Sequence, residues 1–276
     1  MDKRHFFGIL FVFLTASLFA QAGLRIIVEE GADGFVITSS EGRATELTIP
    51  EEINGIPVVA IGENAFIRSG LTMVSIPDSV VEIGDGAFSH NELSALAIGE
   101  NVITIGRGAF SNNRLTYITL GLNVQTIGVG AFSGNHLSTL VIPDSVVTIE
   151  SYAFFDNRLT TITIPDSVIT IGEGAFSTNR LFTAIIGNSV EQIGDGAFFN
   201  NQLTTITIPE SINALGARVF ESRITRRGAV PPVSFITMEG EILFTTANDF
   251  DSFFAATGRR PGTYTFTIAD GWAFVE

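Results

Sequence analysis

Phenylalanine returns every 22 residues along most of the chain, as Phe66, Phe88, Phe110, Phe132, Phe154, Phe176, Phe198 and Phe220. Three further apolar columns keep step with it. Five residues before each Phe stand Ile61, Ile83, Ile105, Ile127, Ile149, Ile171, Ile193 and Leu215. Five residues after the first seven come Leu71, Leu93, Leu115, Leu137, Leu159, Leu181 and Leu203, and ten after come Ile76, Ile98, Leu120, Ile142, Ile164, Ile186 and Ile208. Four columns held in register over eight copies are the signature of a repeat architecture, in which each unit buries its apolar face only against its neighbours.

One copy shows the local physics. In Leu203-Thr204-Thr205-Ile206-Thr207-Ile208-Pro209, Ile206 and Ile208 alternate with Thr205 and Thr207, the period of a strand with one buried face. Pro209 lacks the N–H for a further ladder bond and ends the strand. A second extended piece, Val190-Glu191-Gln192-Ile193, leads into Gly194 and the Gly196-Ala197-Phe198 turn. The expectation is a mainly β repeat solenoid of right-handed parallel coils, its strands joined in a continuous parallel sheet. Eight coils with strands about 4.8 Å apart make a body roughly 40 Å long. Composition agrees with a ring spine inside it. Phenylalanine numbers 24 against 3 Tyr and 1 Trp, and Phe alone of the three has no polar atom to satisfy when buried.

Asn91, Asn113, Asn135, Asn157, Asn179 and Asn201 each lie three residues after a Phe. Asparagine bonds neighbouring backbone and suits turns, so this column reads as a structural ladder. The spine it accompanies is Phe88, Phe110, Phe132, Phe154, Phe176 and Phe198.

The stretch from Ile142 to Phe176, IPDSVVTIESYAFFDNRLTTITIPDSVITIGEGAF, resembles the BspA-type leucine-rich repeat of bacterial surface antigens, found also in some protists. Ile-Pro, Ile-Gly, Ala-Phe and Leu-x-x-Ile-x-Ile stand in that family's order over about residues 45–222. Gly55 to Gly62, with its longer spacing, resembles the family's first repeat. The common unit has about one residue more and often a cysteine after Ala-Phe, where this chain carries Asn. The resemblance implies a curved, leucine-rich-repeat-like solenoid, export, and adhesion to host proteins or other cells, without catalysis.

The ends differ from the middle. Asp2-Lys3-Arg4-His5, the apolar run Phe6–Phe19 and Ala20-Gln21-Ala22 form the pattern of a secretory signal peptide, 1–22. The run is shorter than the roughly 20 residues a membrane span needs. Residues 23–48 read as an N-terminal β-hairpin cap, with Arg25–Glu30 and Phe35–Ser39 around Gly31-Ala32-Asp33-Gly34. The solenoid occupies 49–222. Beyond Pro231-Pro232, residues 223–276 read as a small β-rich cap or module. In it, Phe235–Met238 and Ile242–Thr246 form one hairpin, Tyr264–Ile268 and Trp272–Val275 another, and Asp249–Thr257 a short helix.

Composition removes several kinds of chemistry. With 15 Lys plus Arg against 29 Asp plus Glu and a net charge of −14, the chain lacks the basic surface that nucleic acid requires. It has no cysteine, hence no disulfide, thiolate metal site or cysteine nucleophile. His90 and His136 are the histidines left after processing, at different repeat positions, too little for a triad or a His-rich metal site. Gly128-x-Gly130-x-x-x-Gly134 lacks the helix and lysine of a phosphate loop, and Asp85, Asp144, Asp166 and Asp195 sit singly in turns. No enzyme, cofactor or metal is expected.

Two surface columns remain as binding candidates. The outward strand face carries Tyr117, Thr119, Thr139, Val141, Thr161, Thr163, Thr183, Ile185, Thr205 and Thr207, a broad sheet with few charges of the sort repeat proteins offer to partners. Four residues after Phe, Arg114, His136, Arg158 and Arg180 form a cationic stripe fit for an anionic ligand. The expected protein is an exported, non-catalytic, monomeric binding or adhesion protein, secreted, periplasmic or at the cell surface, with an extracellular or host protein as partner. The competing readings are a Thr-rich ice-binding solenoid and a structural envelope protein with no specific ligand. Met73, Ala95, Tyr117 and Ile185 interrupt the regularity that ice binding needs.

Overall fold

In the computed structural model the 22-residue unit is one turn of a stack. The structure describes residues 23–203, 205–207 and 209–220, and beyond them three strands, Ser234–Phe235, Thr263–Thr267 and Gly271–Val275. Among the described residues there is no helix.

The stack opens with a hairpin of β1 (Leu24–Glu30) and β2 (Phe35–Gly42), paired antiparallel. A short β3 (Glu46–Thr48) follows. Next come β4 (Glu52–Ile53) and β5 (Ile56–Ile61), antiparallel across Asn54-Gly55. Those two residues have φ of 52° and 81°, the doubly left-handed geometry for which Asn-Gly is favoured in two-residue hairpins. The longer spacing of the first repeat is thus a second hairpin, one the Asn-Gly pair signals locally. β2 pairs in parallel with β5, joining the terminal hairpin to the stack.

Each following coil adds a two-residue strand beside β5: Glu82–Ile83, Thr104–Ile105, Thr126–Ile127, Thr148–Ile149, Thr170–Ile171, Gln192–Ile193 and Ala214–Leu215. They pair in parallel without interruption, Ile over Ile until Ile193 meets Leu215. A second ladder runs through the Ala-Phe turns. There Phe88 N–H donates to Ala109 at 2.7 Å, and Phe110 and Phe132 repeat the bond to Ala131 and Ala153 at 2.8 Å.

The third ladder, on the main strand face, departs from expectation. It joins β3, Met73–Ser75, Ala95–Ala97 and Tyr117–Thr119 in one sheet and restarts at Thr161–Thr163 in another. Thr139–Val141 lies in no strand. Its central Leu140 is half-buried, whereas Ile118 and Ile162 in the same column are buried. Leucine lacks the β-branch that favours a strand. Leu96 of Ala95–Ala97, in the same column, keeps three pairs with Tyr117–Thr119 but only Ser75↔Ala97 on its other side, whereas Leu47 of β3 keeps all three pairs with Met73–Ser75. Two intact ladders hold the coil in place while the third is open.

The core is a single column. Phe66, Phe88, Phe110, Phe132, Phe154, Phe176 and Phe198 have no exposed area. Consecutive rings stack with centroids 5.2–5.5 Å apart and planes within 11°. Val, Ile and Leu of the other columns surround them. Such close stacking leaves little room for a side chain four residues before Phe, where every coil has glycine except that of Phe154, which carries Glu150. A Cβ on Gly106 would lie 2.7 Å from the backbone of Gly84 and Asp85, closer than packed atoms tolerate.

At the far end Thr205–Thr207 pairs in parallel with Ser234–Phe235. That strand pairs antiparallel with Thr263–Thr267, which forms a hairpin with Gly271–Val275. The second expected C-terminal hairpin is therefore present, and it prolongs the strand-face sheet. The expected arm Ile242–Thr246 and helix Asp249–Thr257 lie outside the described residues, as does 1–22.

Candidate functional site

The buried asparagines hold one coil on the next. Asn113 Nδ2 donates to Phe88 O at 3.0 Å and Phe110 O at 3.1 Å, while its Oδ1 accepts Leu93 N–H at 3.1 Å. Asn91, Asn135, Asn157, Asn179 and Asn201 repeat the arrangement. Every donor and acceptor is used inside the coil stack, so this column offers nothing to a ligand.

The strand-face candidates are displayed as alternation requires. Tyr117, Thr119, Thr161 and Thr163 are exposed while Ile118 and Ile162 between them are buried. Ile185 is exposed and Thr183 half-buried around buried Ala184. Thr205 and Thr207 belong to the strand that joins the C-terminal pieces. Thr139 and Val141 are exposed as well, Val141 to 80 %, but on the open segment rather than in the sheet. The structure thus presents the eight from Tyr117 to Ile185 on one face with an interruption near its middle. Phe182, just before the Thr183–Ile185 strand, is an exposed ring.

The cationic column is partly neutralised. Arg114 Nη1 lies 3.1 Å from Glu92 Oε2, both exposed. Glu92 is itself the member of the column one coil earlier, so the stripe begins with an acid. Arg158 and Arg180 are exposed and His136 half-buried. Neither arginine makes an ion pair with a described residue.

A third feature lies on the turn edge, where reading the columns for their regularity hid the exceptions. Two residues before Phe the backbone is left-handed in every coil, with φ between 55° and 63°. Glycine fills this place in five coils, whereas the coil of Phe154 has Tyr152. One residue after Phe, Ser89, Ser111, Ser133 and Ser177 give way to Phe155 and Phe199. Tyr152, Glu173, Gly174, Ser177, Asp195, Gly196, Phe199, Ala217 and Arg218 line an open trough of about 300 Å³. Tyr152 donates to Glu173 Oε1 and meets the Phe155 ring edge-on at 5.9 Å. The hydrogen bond to Glu173 and burial raise the pKa of the Tyr152 phenol above its ordinary value.

Among the described residues no group of three His, Asp or Glu could hold a metal ion, and no helix is long and apolar enough to cross a membrane. His90 Nδ1 lies 2.7 Å from Ser89 Oγ, itself bonded to Ser111. No carboxylate completes a triad there among the described contacts.

Comparison with known proteins follows the same repeat. No curated protein matches the chain. A leucine-rich-repeat protein from Bacteroides ovatus is 24 % identical with a TM-score of 0.52, over 72 % of this chain and 61 % of that one. A leucine-rich cell surface protein from Faecalibacterium prausnitzii is 26 % identical over 71 % and 72 % of the two chains, with a TM-score of 0.45. The T. pallidum leucine-rich-repeat protein is 25 % identical over 72 % and 86 %, with a TM-score of 0.49. The model of the BspA type leucine rich repeat region matches residues 40–158 and 103–227 in six copies, most of the chain. Repeats of this type point to a protein-interaction or surface role and are generally non-catalytic. The columns, their stacking and this match together place the protein in the BspA-type leucine-rich-repeat family.

Proposed function

We propose that the protein is exported and acts as a non-catalytic binding or adhesion protein, taking an extracellular or host protein on its strand face. The observation that supports this most is the exposure of Tyr117, Thr119, Thr161, Thr163 and Ile185 on strands whose alternate residues are buried. This is a wide, weakly charged surface with aromatic and apolar anchors at Tyr117, Val141 and Ile185. Interfaces draw their energy from such anchors rather than from area alone. Export is supported by the residue pattern of 1–22 and by the surface location in the printed description of the Faecalibacterium protein. The division into a leader at 1–22, a cap at 23–48, a solenoid at 49–222 and a terminal module at 223–276 belongs to this proposal.

Beside that face, Arg158 and Arg180 give an otherwise acidic protein a positive rim, with His136 in the same column. It would steer an acidic partner in a salt-dependent way. The ice-binding alternative requires an unbroken Thr array, and the break at Thr139–Val141 and the apolar residues on the face count against it.

The test is capture of extracellular-matrix and cell-surface proteins on the immobilised chain, repeated with Tyr117→Asp and Thr161→Asp. A partner retained by the parent chain and lost from both variants supports the reading. A chain that retains nothing, or retains its partner equally in both variants, would leave an envelope-structural role.

A further inference from the structure

Tyr152 is a bulky residue in a conformation reserved elsewhere in its column mostly for glycine, at φ 59°. A left-handed backbone is unfavourable for a residue with a Cβ. Such an outlier in a monotonous repeat is a reason to look for function. Its ring lies over Gly174 of the next coil, where a Cβ would come within 2.5 Å of Tyr152 Cε1, yet it remains 39 % exposed. Further along the same edge, the Arg218 guanidinium stacks 4.9 Å from the centroid of Phe199. Gly174, Gly196 and the carboxylates of Glu173 and Asp195 complete the lining. Glu173 accepts the Tyr152 phenol through Oε1 and Asp195 accepts Ala217 N–H through Oδ1 at 2.8 Å, which leaves each a second oxygen.

We infer that this trough binds a saccharide. The chemistry of its lining selects the class. Carboxylates only accept hydrogen bonds and a guanidinium only donates them, so a ligand using both must carry groups that do either, which hydroxyls do. The carboxylates outnumber the guanidinium, which disfavours a strongly anionic ligand. An aromatic face suits an apolar face edged with polar groups, and a pyranose ring has one. At about 300 Å³ the trough is at the small end for ligand sites. It is open, and it runs along coils whose Phe rings are spaced 5.4–5.7 Å apart. An extended sugar chain therefore fits better than an enclosed small molecule. The trough lies on the turn edge, away from the strand face, so this ligand is separate from the protein partner proposed above.

The experiment is calorimetric titration of the full chain with cellotriose, maltotriose and tri-N-acetylchitotriose, alongside Tyr152→Gly, Phe199→Ser and Glu173→Gln. The first two variants restore residues that other coils carry at those positions, so the fold survives them, as a thermal melt verifies. Glu173→Gln alters an exposed side chain and serves as an independent check. The expected result is saturable binding of at least one trisaccharide, weakened about tenfold or more in Tyr152→Gly and Phe199→Ser. No binding of any of the three at about 10 mM, or binding that all three variants leave unchanged, overturns the proposal.

Discussion

The side chain of Asn135 bonds the carbonyl of Phe110, one coil earlier, at 3.0 Å. It also takes Phe132 O of its own coil at 3.1 Å and the N–H of Leu115 at 3.1 Å. One amide thus satisfies three backbone groups in a place that water does not reach, Asn135 being 3 % exposed. Unpaired buried backbone is among the costliest defects a fold can carry. Asn135→Ala should lower stability by about 2–4 kcal/mol, read as a fall in the denaturation midpoint. A loss under about 0.5 kcal/mol would mean that water replaces the amide.

Phe132 packs between Phe110 and Phe154 at 5.4 and 5.5 Å. Phe132→Ala removes a fully buried ring from a column that cannot collapse around the gap without breaking two ladders. A loss of about 3–5 kcal/mol is expected. Thr161→Ala on the exposed face should fall within about 0.5 kcal/mol. Equal effects at the two positions would contradict the spine as the source of stability.

Tyr152 separates backbone strain from side-chain contacts. At φ 59°, Tyr152→Gly should be more stable than Tyr152→Ala by about 1 kcal/mol. Both lose the ring and its bond to Glu173, so the difference reports the backbone alone. At Gly106 the order is steric. Gly106→Ala places a Cβ against the preceding coil and should destabilise by more than that difference.

The Tyr152 phenol also titrates distinctively. Its hydrogen bond to Glu173, then burial and the charges of Glu173 and Asp195, favour the neutral form. Because the folded pKa is raised, the stability this bond adds is fully present below the unfolded value of about 10. It disappears as pH rises through the folded value. Ultraviolet titration of the phenols should show one group ionising above the ordinary range, and Glu173→Gln should bring it back toward about 10.

The stripe is tested by charge removal. Replacing Arg158 and Arg180 with Gln should weaken a salt-sensitive partner and flatten the salt dependence. Arg114→Gln should matter less, since Glu92 already pairs with it. Equal losses at all three arginines would place the ligand across the Glu92 end as well.

Much of this architecture was legible in residue spacing, because a solenoid coil meets only its neighbours and each column faces its own copies. The Phe spine, the Asn ladder, the alternation Tyr117-Ile118-Thr119 and the β1–β2 hairpin followed from period and local chemistry. The second hairpin at Asn54-Gly55 was not among the expectations, although its signal is equally local. The break at Thr139–Val141 was not, since a strand exists only where its neighbours bond it, and Leu140 alone does not announce that they will not. Nor was the trough. Tyr152, Phe199 and Arg218 belong to different coils, and each looks like an isolated lapse from the repeat. Sequence determined the unit and its columns through forces acting within a coil. The stack alone decided which lapses share one surface, because each 22-residue turn sets a position one ring spacing from its copy in the next coil, so residues two or three coils apart line one edge.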